Sequence, residues 1–105
     1  MTPSKITEEM IQELYALIAA LHDAEECKML FDDLCTNKEV EQMAQRLRAA
    51  KLLLAGNTYQ QVIKATDISS ATLSRVSRCV QYGKGYAALL PAEMPPQDSD
   101  SNKSN

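Results

Sequence analysis

An all-α fold is predicted by three features of the sequence. Apolar residues recur three or four positions apart in several segments, which is the spacing of one helix face. Three of these segments are preceded by a Ser, Thr or Asp with Glu or Gln three residues later, as expected at helix N-termini. No segment shows the strict apolar–polar alternation that indicates a strand. We predict one helical domain, 1–94, followed by a disordered polar tail, 95–105.

The first three helices are predicted from their caps and their apolar faces. Thr7, Asp23 and Thr36 are the expected N-caps, and the third helix should run from about Lys38 to Leu54, before a glycine that can stop it. The apolar faces comprise Met10, Ile11, Leu14, Leu17, Ile18 and Leu21 in the first helix, Cys27, Leu30, Phe31 and Leu34 in the second, and Val40, Met43, Ala44, Leu47, Ala50 and Leu54 in the third.

These faces are wide for short helices, and a wide apolar face usually needs a partner surface. Symmetric dimers are the commonest soluble oligomers, and a dimer could place two DNA-reading helices about 34 Å apart, one turn of DNA. We therefore predict a homodimer. The alternative is a monomeric helical bundle that covers these faces itself.

Residues 58–82 have the pattern of two short helices joined by a tight turn. Thr58 and Gln61 can form a capping box, Thr66 and Asp67 can end the first helix, and Ile68 can be buried in the turn. The expected cap of the second helix is Ser69 or Ser70, and its expected inward residues are Leu73, Val76 and Val80.

This pattern predicts a helix-turn-helix whose second helix, near 70–82, reads the major groove of double-stranded DNA. Short side chains let a helix approach base edges, and arginines reach guanine or phosphate. The alternative is an ordinary helical hairpin with an exposed Ser/Thr-rich face. The predicted DNA contacts are Tyr59, Gln60 and Lys64 on the first helix and Ser69, Ser70, Ala71, Thr72, Ser74, Arg75 and Arg78 on the second.

The charge distribution agrees with DNA binding, although the net charge is −3. Residues 1–45 carry three lysines and ten acids, whereas residues 46–84 carry seven basic residues and one acid. A basic region of this kind is the electrostatic feature that phosphate binding needs, and the net charge of the whole chain conceals it.

No feature of the sequence indicates catalysis or a metal site. His22 is the only histidine, and no nucleophile–base or paired-carboxylate arrangement accompanies it. The three cysteines, at 27, 35 and 79, form no Cys-x-x-Cys pair, so reduced thiols are expected. No apolar run is long enough to span a membrane, and the start lacks a secretory signal pattern. We predict a cytoplasmic protein that is not an enzyme and has no metal, no cofactor and no membrane partner.

The sequence resembles the Trp repressor superfamily, and within it the branch of YerC/YecD-type Trp-repressor-related proteins. The likeness covers about residues 7–90 and is strongest in 34–36, 39–54 and 70–79. The run from Ala71 to Arg78, followed by Gln81-Tyr82-Gly83, is specific to that branch. The resemblance implies a six-helix protomer in an intertwined homodimer, in which helices one to three interlock with the partner and helices four and five form the DNA-reading head.

The resemblance also implies a small-ligand pocket, with two differences in this chain. The tryptophan repressor holds the indole of its ligand between two arginines, and Arg46 and Arg75 occupy the matching positions. Val76 stands where the repressor has a glycine and is expected to fill the pocket, and Cys79 replaces a serine that binds the ligand amine. We therefore predict that L-tryptophan is not the effector. Arg46 and Arg75 could instead contact phosphate, pair with Glu39 or Glu41, or bind another small anion.

Two hypotheses for function follow. The first is a dimeric, sequence-specific transcription regulator, a repressor by resemblance. The second is a helical interaction module that keeps the fold and binds a protein partner. DNA binding that neutralises phosphates weakens steeply with salt, whereas a mainly apolar protein interface does not, so the salt dependence of binding distinguishes them.

Overall fold

The structure, a computed structural model, describes residues 4–90, which form six α-helices and no strand. They are α1 (Lys5–Ala19), α2 (Ala24–Leu34), α3 (Asn37–Leu54), α4 (Tyr59–Thr66), α5 (Ser70–Tyr82) and α6 (Gly85–Leu89). The all-α prediction is confirmed. The domain end predicted at residue 94 and the tail predicted for 95–105 lie outside the described residues. Within those residues, no helix combines the length and apolarity that a membrane crossing needs.

Local capping side chains fix where the first three helices begin. Asp23 caps α2 by accepting a hydrogen bond from the backbone N–H of Glu26. Thr36 and Glu39 form a reciprocal pair at the start of α3, with the Glu39 carboxylate accepting from the Thr36 backbone N–H at 2.8 Å. The prediction of Thr7 as the α1 cap is wrong, because Ser4 accepts the Thr7 N–H and starts the helix three residues earlier.

The chain divides between Val40 and Glu41 into two compact units. In the first unit, none of the side chains of residues 4–40 is buried. The apolar face of α1 is accordingly open, with Met10, Leu14 and Leu17 between 36% and 56% exposed. We call these three residues the α1 stripe. They recur four and three positions apart, so they lie on one side of the helix.

The second unit has a hydrophobic core built from α3, α4, the following turn and α5. Its buried apolar residues are Ala49, Ala50, Leu52, Val62, Ile68, Leu73 and Val76. Tyr86 and Leu90 pack against this core from the C-terminal side. The predicted α3 stripe is buried only in part, because Ala50 is covered whereas Leu47 and Leu54 remain about two-fifths exposed.

The capping box at the start of α4 is confirmed in both directions. Thr58 Oγ1 accepts from the Gln61 backbone N–H at 3.2 Å, and Gln61 Oε1 accepts from the Thr58 N–H at 2.8 Å. We expect Thr58→Ala to lower the free energy of unfolding by about 1 kcal/mol in urea denaturation, because it removes the cap oxygen. Thr58→Ser keeps that oxygen and is the matched control. Equal stability of the alanine and serine variants would contradict this role.

Candidate nucleic-acid interface

The turn between α4 and α5 is held by three polar contacts and one buried side chain. Thr66 Oγ1 donates to the Val62 carbonyl at 2.7 Å, and Gln45 of α3 donates to the Thr66 carbonyl at 3.0 Å. Asp67 then takes a left-handed backbone conformation with φ of 61°, and Ile68 inserts into the core. The Ile68 backbone N–H donates to Thr66 Oγ1 at 3.3 Å and closes the turn. The predicted roles of Asp67 and Ile68 are thereby confirmed.

The second helix of the motif starts at a serine cap. Ser69 Oγ accepts from the Thr72 backbone N–H at 3.2 Å and donates to Thr72 Oγ1 at 2.9 Å. Leu73, Val76 and Ser77 are buried on the inner side of α5, and Val80 is half-buried. The first helix of the motif buries Val62 in the same core. The predicted helix-turn-helix therefore forms, with α5 spanning the expected residues 70–82.

The structure exposes most of the residues that the sequence predicted to contact DNA. On α4 these are Tyr59, Gln60 and Lys64, and on α5 they are Ser70, Ala71, Ser74, Arg75 and Arg78. Those on α5 lie opposite or beside the buried residues of the same helix. Burial of one side of α5 therefore determines which of its side chains face outward. No carboxylate lies within α5, and Asp67 is the only acid between residues 46 and 84.

Two predicted contacts are placed differently from the rest. Thr72 was expected on the outer face but is half-buried, and its hydroxyl accepts the hydrogen bond from Ser69. The reason is the position of Thr72 in α5. It lies next to the buried Leu73, so its side chain projects from the edge between the inner and outer sides of the helix. Ser69 is exposed, but its hydroxyl already serves as the helix cap.

Beside the outer face of α5 lies a cavity of about 340 Å³ that contains two arginines. Its lining residues are Arg46, Thr72, Arg75, Val76, Cys79 and Tyr86. Within residues 4–90 the basic side chains that contact a carboxylate are His22, beside Glu26, and Lys28, beside Asp32, so neither guanidinium has a carboxylate partner there. The alternative that Arg46 or Arg75 pairs with Glu39 or Glu41 is therefore wrong for the described residues. Two unpaired guanidiniums, a hydroxyl and a phenol suit a small anion.

The Val76 side chain is 2% exposed and belongs to the core cluster with Leu73. The expectation that it closes the cavity to an indole stays a prediction. Val76 forms one wall, and the space beside it stays open. Cys79 forms another wall and is exposed, so its thiol, a weak hydrogen-bonding group, is available to whatever occupies the cavity.

Comparison with known proteins agrees with this geometry. The family model described as Trp repressor protein matches residues 9–93. The chain belongs to the Trp repressor family. It is 45% identical over 100 residues to the uncharacterized protein YerC of Bacillus subtilis, and the aligned region covers 94% of this chain and 96% of that protein. The predicted membership of the YerC-type branch of the Trp repressor family is confirmed.

Two solved structures of Trp-repressor-like proteins are similar to the structure of this chain. A candidate Trp repressor from Staphylococcus aureus superimposes with a TM-score of 0.73 at 37% identity, over 81% of this chain and 89% of that chain. A TrpR-like protein from Eubacterium eligens gives the same TM-score at 36% identity, over 75% and 82%. These likenesses confirm the six-helix, Trp-repressor-like fold.

Sequence reasoning missed two tyrosines near the α5 surface of this Trp repressor family member. Tyr86 of α6 lines the arginine cavity. Its placement there depends on how the chain turns after α5, and no local sequence pattern indicates that turn. Tyr82 ends α5 and is 80% exposed. It lies four residues after Arg78, and that spacing could have placed it on the basic face.

Proposed function

We propose that this protein is a homodimeric, sequence-specific DNA-binding transcription regulator, and that it acts as a repressor through the helix-turn-helix of α4 and α5. The observation that carries the proposal is the outer face of α5. Ala71 and Ser74 are small and exposed near its N-terminus, and Arg75 and Arg78 follow on the same exposed surface. Small residues at the leading end and basic residues behind them suit a helix that approaches base edges between two phosphate chains.

The electrostatics of the second unit support the same function. The basic side chains Arg48, Lys64, Arg75, Arg78 and Lys84 are all exposed, and no carboxylate pairs with any of them within the described residues. Unpaired basic side chains are free to replace the counterions condensed on DNA, which supplies affinity that falls with salt. Because this charge lies in the unit that contains the helix-turn-helix, it can orient the reading helix toward the duplex.

Homodimerisation is proposed from the apolar surface that each unit leaves open. In the first unit the α1 stripe is exposed, and none of the described residues forms a buried core there. In the second unit a groove of about 510 Å³ is lined mainly by apolar groups, among them Leu47 and Leu89. Contiguous exposed apolar surface of this kind often marks an interface with another protein. A second copy offers the matching surfaces and gives two reading helices for a palindromic site.

The proposed regulator acts on DNA without requiring L-tryptophan. Cys79 and Val76 wall the arginine cavity, and a thiol is a poor partner for a ligand amine. A buried polar group left unpaired costs about 1–3 kcal/mol, so tryptophan would bind weakly there. Another small anion remains compatible with Arg46 and Arg75.

We expect L-tryptophan to change the DNA affinity of the wild-type protein less than about 5-fold, the lower end of ordinary allosteric coupling. Fluorescence anisotropy with a labelled duplex, with and without the amino acid, measures this. Cys79→Ser restores a hydroxyl at the cavity wall and is the informative comparison, because a response gained only in that variant would assign the missing interaction to the thiol. A strong response of the wild-type protein would contradict the proposal.

The experiment that tests the proposed function is selection from random-sequence DNA with the purified protein at low salt. We expect an enriched palindrome whose half-sites lie about 34 Å apart. Binding to the enriched duplex should weaken with a log–log salt slope of about −0.9 for each phosphate neutralised. Failure to enrich any motif, together with binding that ignores salt, would contradict DNA recognition and favour the protein-interaction alternative.

A further inference from the structure

One exposed ridge of α5 contains the aromatic side chain of Tyr82 beside small and basic residues. Ala71, Arg75, Arg78 and Tyr82 recur four, three and four positions apart, so they form a continuous ridge along one side of the helix. The buried residues Leu73, Val76 and Ser77 occupy the opposite side. All four ridge residues are exposed, and Tyr82 is 80% exposed.

The end of the ridge is fixed by Gly83. A Cβ at that position would lie 2.7 Å from the carbonyl oxygen of Cys79, so the close turn there requires glycine. The Gly83 backbone N–H donates to the same carbonyl at 2.8 Å. Tyr82 is therefore the last residue of α5, and its side chain is not part of the core cluster. A tyrosine side chain that is 80% exposed buries little surface in the protomer and therefore adds little to its stability.

The length of the ridge decides where Tyr82 would lie on DNA. Ala71 and Tyr82 are eleven residues apart, or about 16 Å along the helix axis at 1.5 Å per residue. The major groove is about 12 Å wide and 8.5 Å deep. A helix that enters the groove with its Ala71 end at the base edges would hold Tyr82 at the level of the phosphates, because about 16 Å exceeds the groove depth of about 8.5 Å.

We propose that the Tyr82 hydroxyl donates a hydrogen bond to a backbone phosphate at the rim of the half-site. The proposal rests on the proposed function. Tyrosine is among the side chains that donate to DNA phosphates, and such contacts set the register of a protein on the duplex without reading sequence. Arg78 before Tyr82 and Lys84 after it supply positive charge, which offsets the unfavourable field of the helix C-terminus at a phosphate.

The test compares the wild-type protein with Tyr82→Phe, which removes only the hydroxyl. Equilibrium binding is measured by fluorescence anisotropy on the selected duplex and on an unrelated duplex, each over a range of salt concentrations. We expect Tyr82→Phe to bind both duplexes about tenfold more weakly, since a dimer loses two hydrogen bonds of about threefold each. The salt slope should stay unchanged, because a phenol carries no charge to release a counterion.

Two comparison variants make the result specific. Tyr15→Phe removes the same atom from an exposed tyrosine of α1 and should leave DNA affinity within about twofold of wild type, as surface substitutions usually do. Arg78→Gln should reduce the salt slope by about 1.8 per dimer, because each protomer loses one phosphate-neutralising charge. Sedimentation and thermal melting of Tyr82→Phe should match those of the wild-type protein.

Each other outcome overturns the inference in a different way. Unchanged affinity of Tyr82→Phe overturns the phosphate contact while leaving the proposed function in place. A loss on the selected duplex alone makes Tyr82 a reader of bases, and an altered oligomeric mass makes it part of a protein interface. Absence of DNA binding by the wild-type protein overturns the proposed function and this inference with it.

Discussion

Ala71→Glu is expected to abolish sequence-specific DNA binding without unfolding the protein. Ala71 is exposed in the first turns of α5 and shares a ridge with Arg75 and Arg78. A glutamate there would carry negative charge into a groove lined by phosphates, and would fill the space that the alanine leaves for a base edge. Juxtaposed like charges at an interface cost several kcal/mol, so affinity should fall at least about a hundredfold.

The structure explains why the fold should tolerate this change. The Ala71 side chain is outside the core cluster, and glutamate is a good helix former that is also favourable near a helix N-terminus. Circular dichroism melting should therefore show a stability close to that of the wild-type protein. DNA affinity is measured on the duplex obtained from random-sequence selection.

Ala16→Glu is the matched control for this variant. It makes the same chemical change on α1, on a face that contains Glu8, Gln12 and Glu13. We expect that variant to keep wild-type affinity. Tight, sequence-specific binding by Ala71→Glu would show that α5 does not present this ridge to DNA, and the assignment of the reading face would have to be abandoned.

Helix boundaries could be predicted from the sequence because the interactions that set them are local. Asp23 with Glu26, Thr36 with Glu39, and Thr58 with Gln61 each act over three residues, and those three pairs form the expected hydrogen bonds. The α1 cap was misplaced because Ser4 and Thr7 offer the same chemistry three residues apart. Nothing local distinguishes them, and the helix uses the earlier one.

The surroundings of individual side chains could be predicted only in part, because they depend on contacts between helices that the apolar period of one helix does not contain. The period correctly placed Leu73 and Val76 inside, but it could not determine how much open space is left beside Val76 in the arginine cavity. Thr72 was misassigned because its position lies at the edge between the inner and outer sides of α5. Tyr86 reaches the cavity only through the turn that follows Gly83, a relation between separate elements of the chain.

The exposed α1 stripe is the surface through which we expect two copies of the protein to associate. We expect the double variant Leu14→Lys/Leu17→Lys to convert a dimer into a monomer and to abolish DNA binding with it. A dimer would lose four buried leucines, each worth about 1.5–3 kcal/mol, so the total is about 6 kcal/mol or more. At 1.4 kcal/mol per factor of ten, the dissociation constant should rise by more than about 10⁴-fold.

Sedimentation equilibrium measures this change directly. The wild-type protein should sediment at twice the protomer mass of 11.6 kDa, and the variant at the protomer mass. The control Gln12→Lys/Ala16→Lys adds the same two charges to the polar face of α1, so it separates the loss of apolar contact from the gain of charge. The control should remain dimeric and should bind DNA.

The same variant also distinguishes a dimer from a self-sufficient bundle. Because none of the side chains of residues 4–40 is buried within one copy, the helices of the first unit have no core of their own. Isolated helices of this length are marginal in water, so the monomeric variant should lose helical circular dichroism and hydrogen-exchange protection in α1 and α2. Its second unit, which contains the buried cluster around Leu73, should keep its protection. A wild-type protein that sediments as a monomer with fully protected α1 would contradict the dimer.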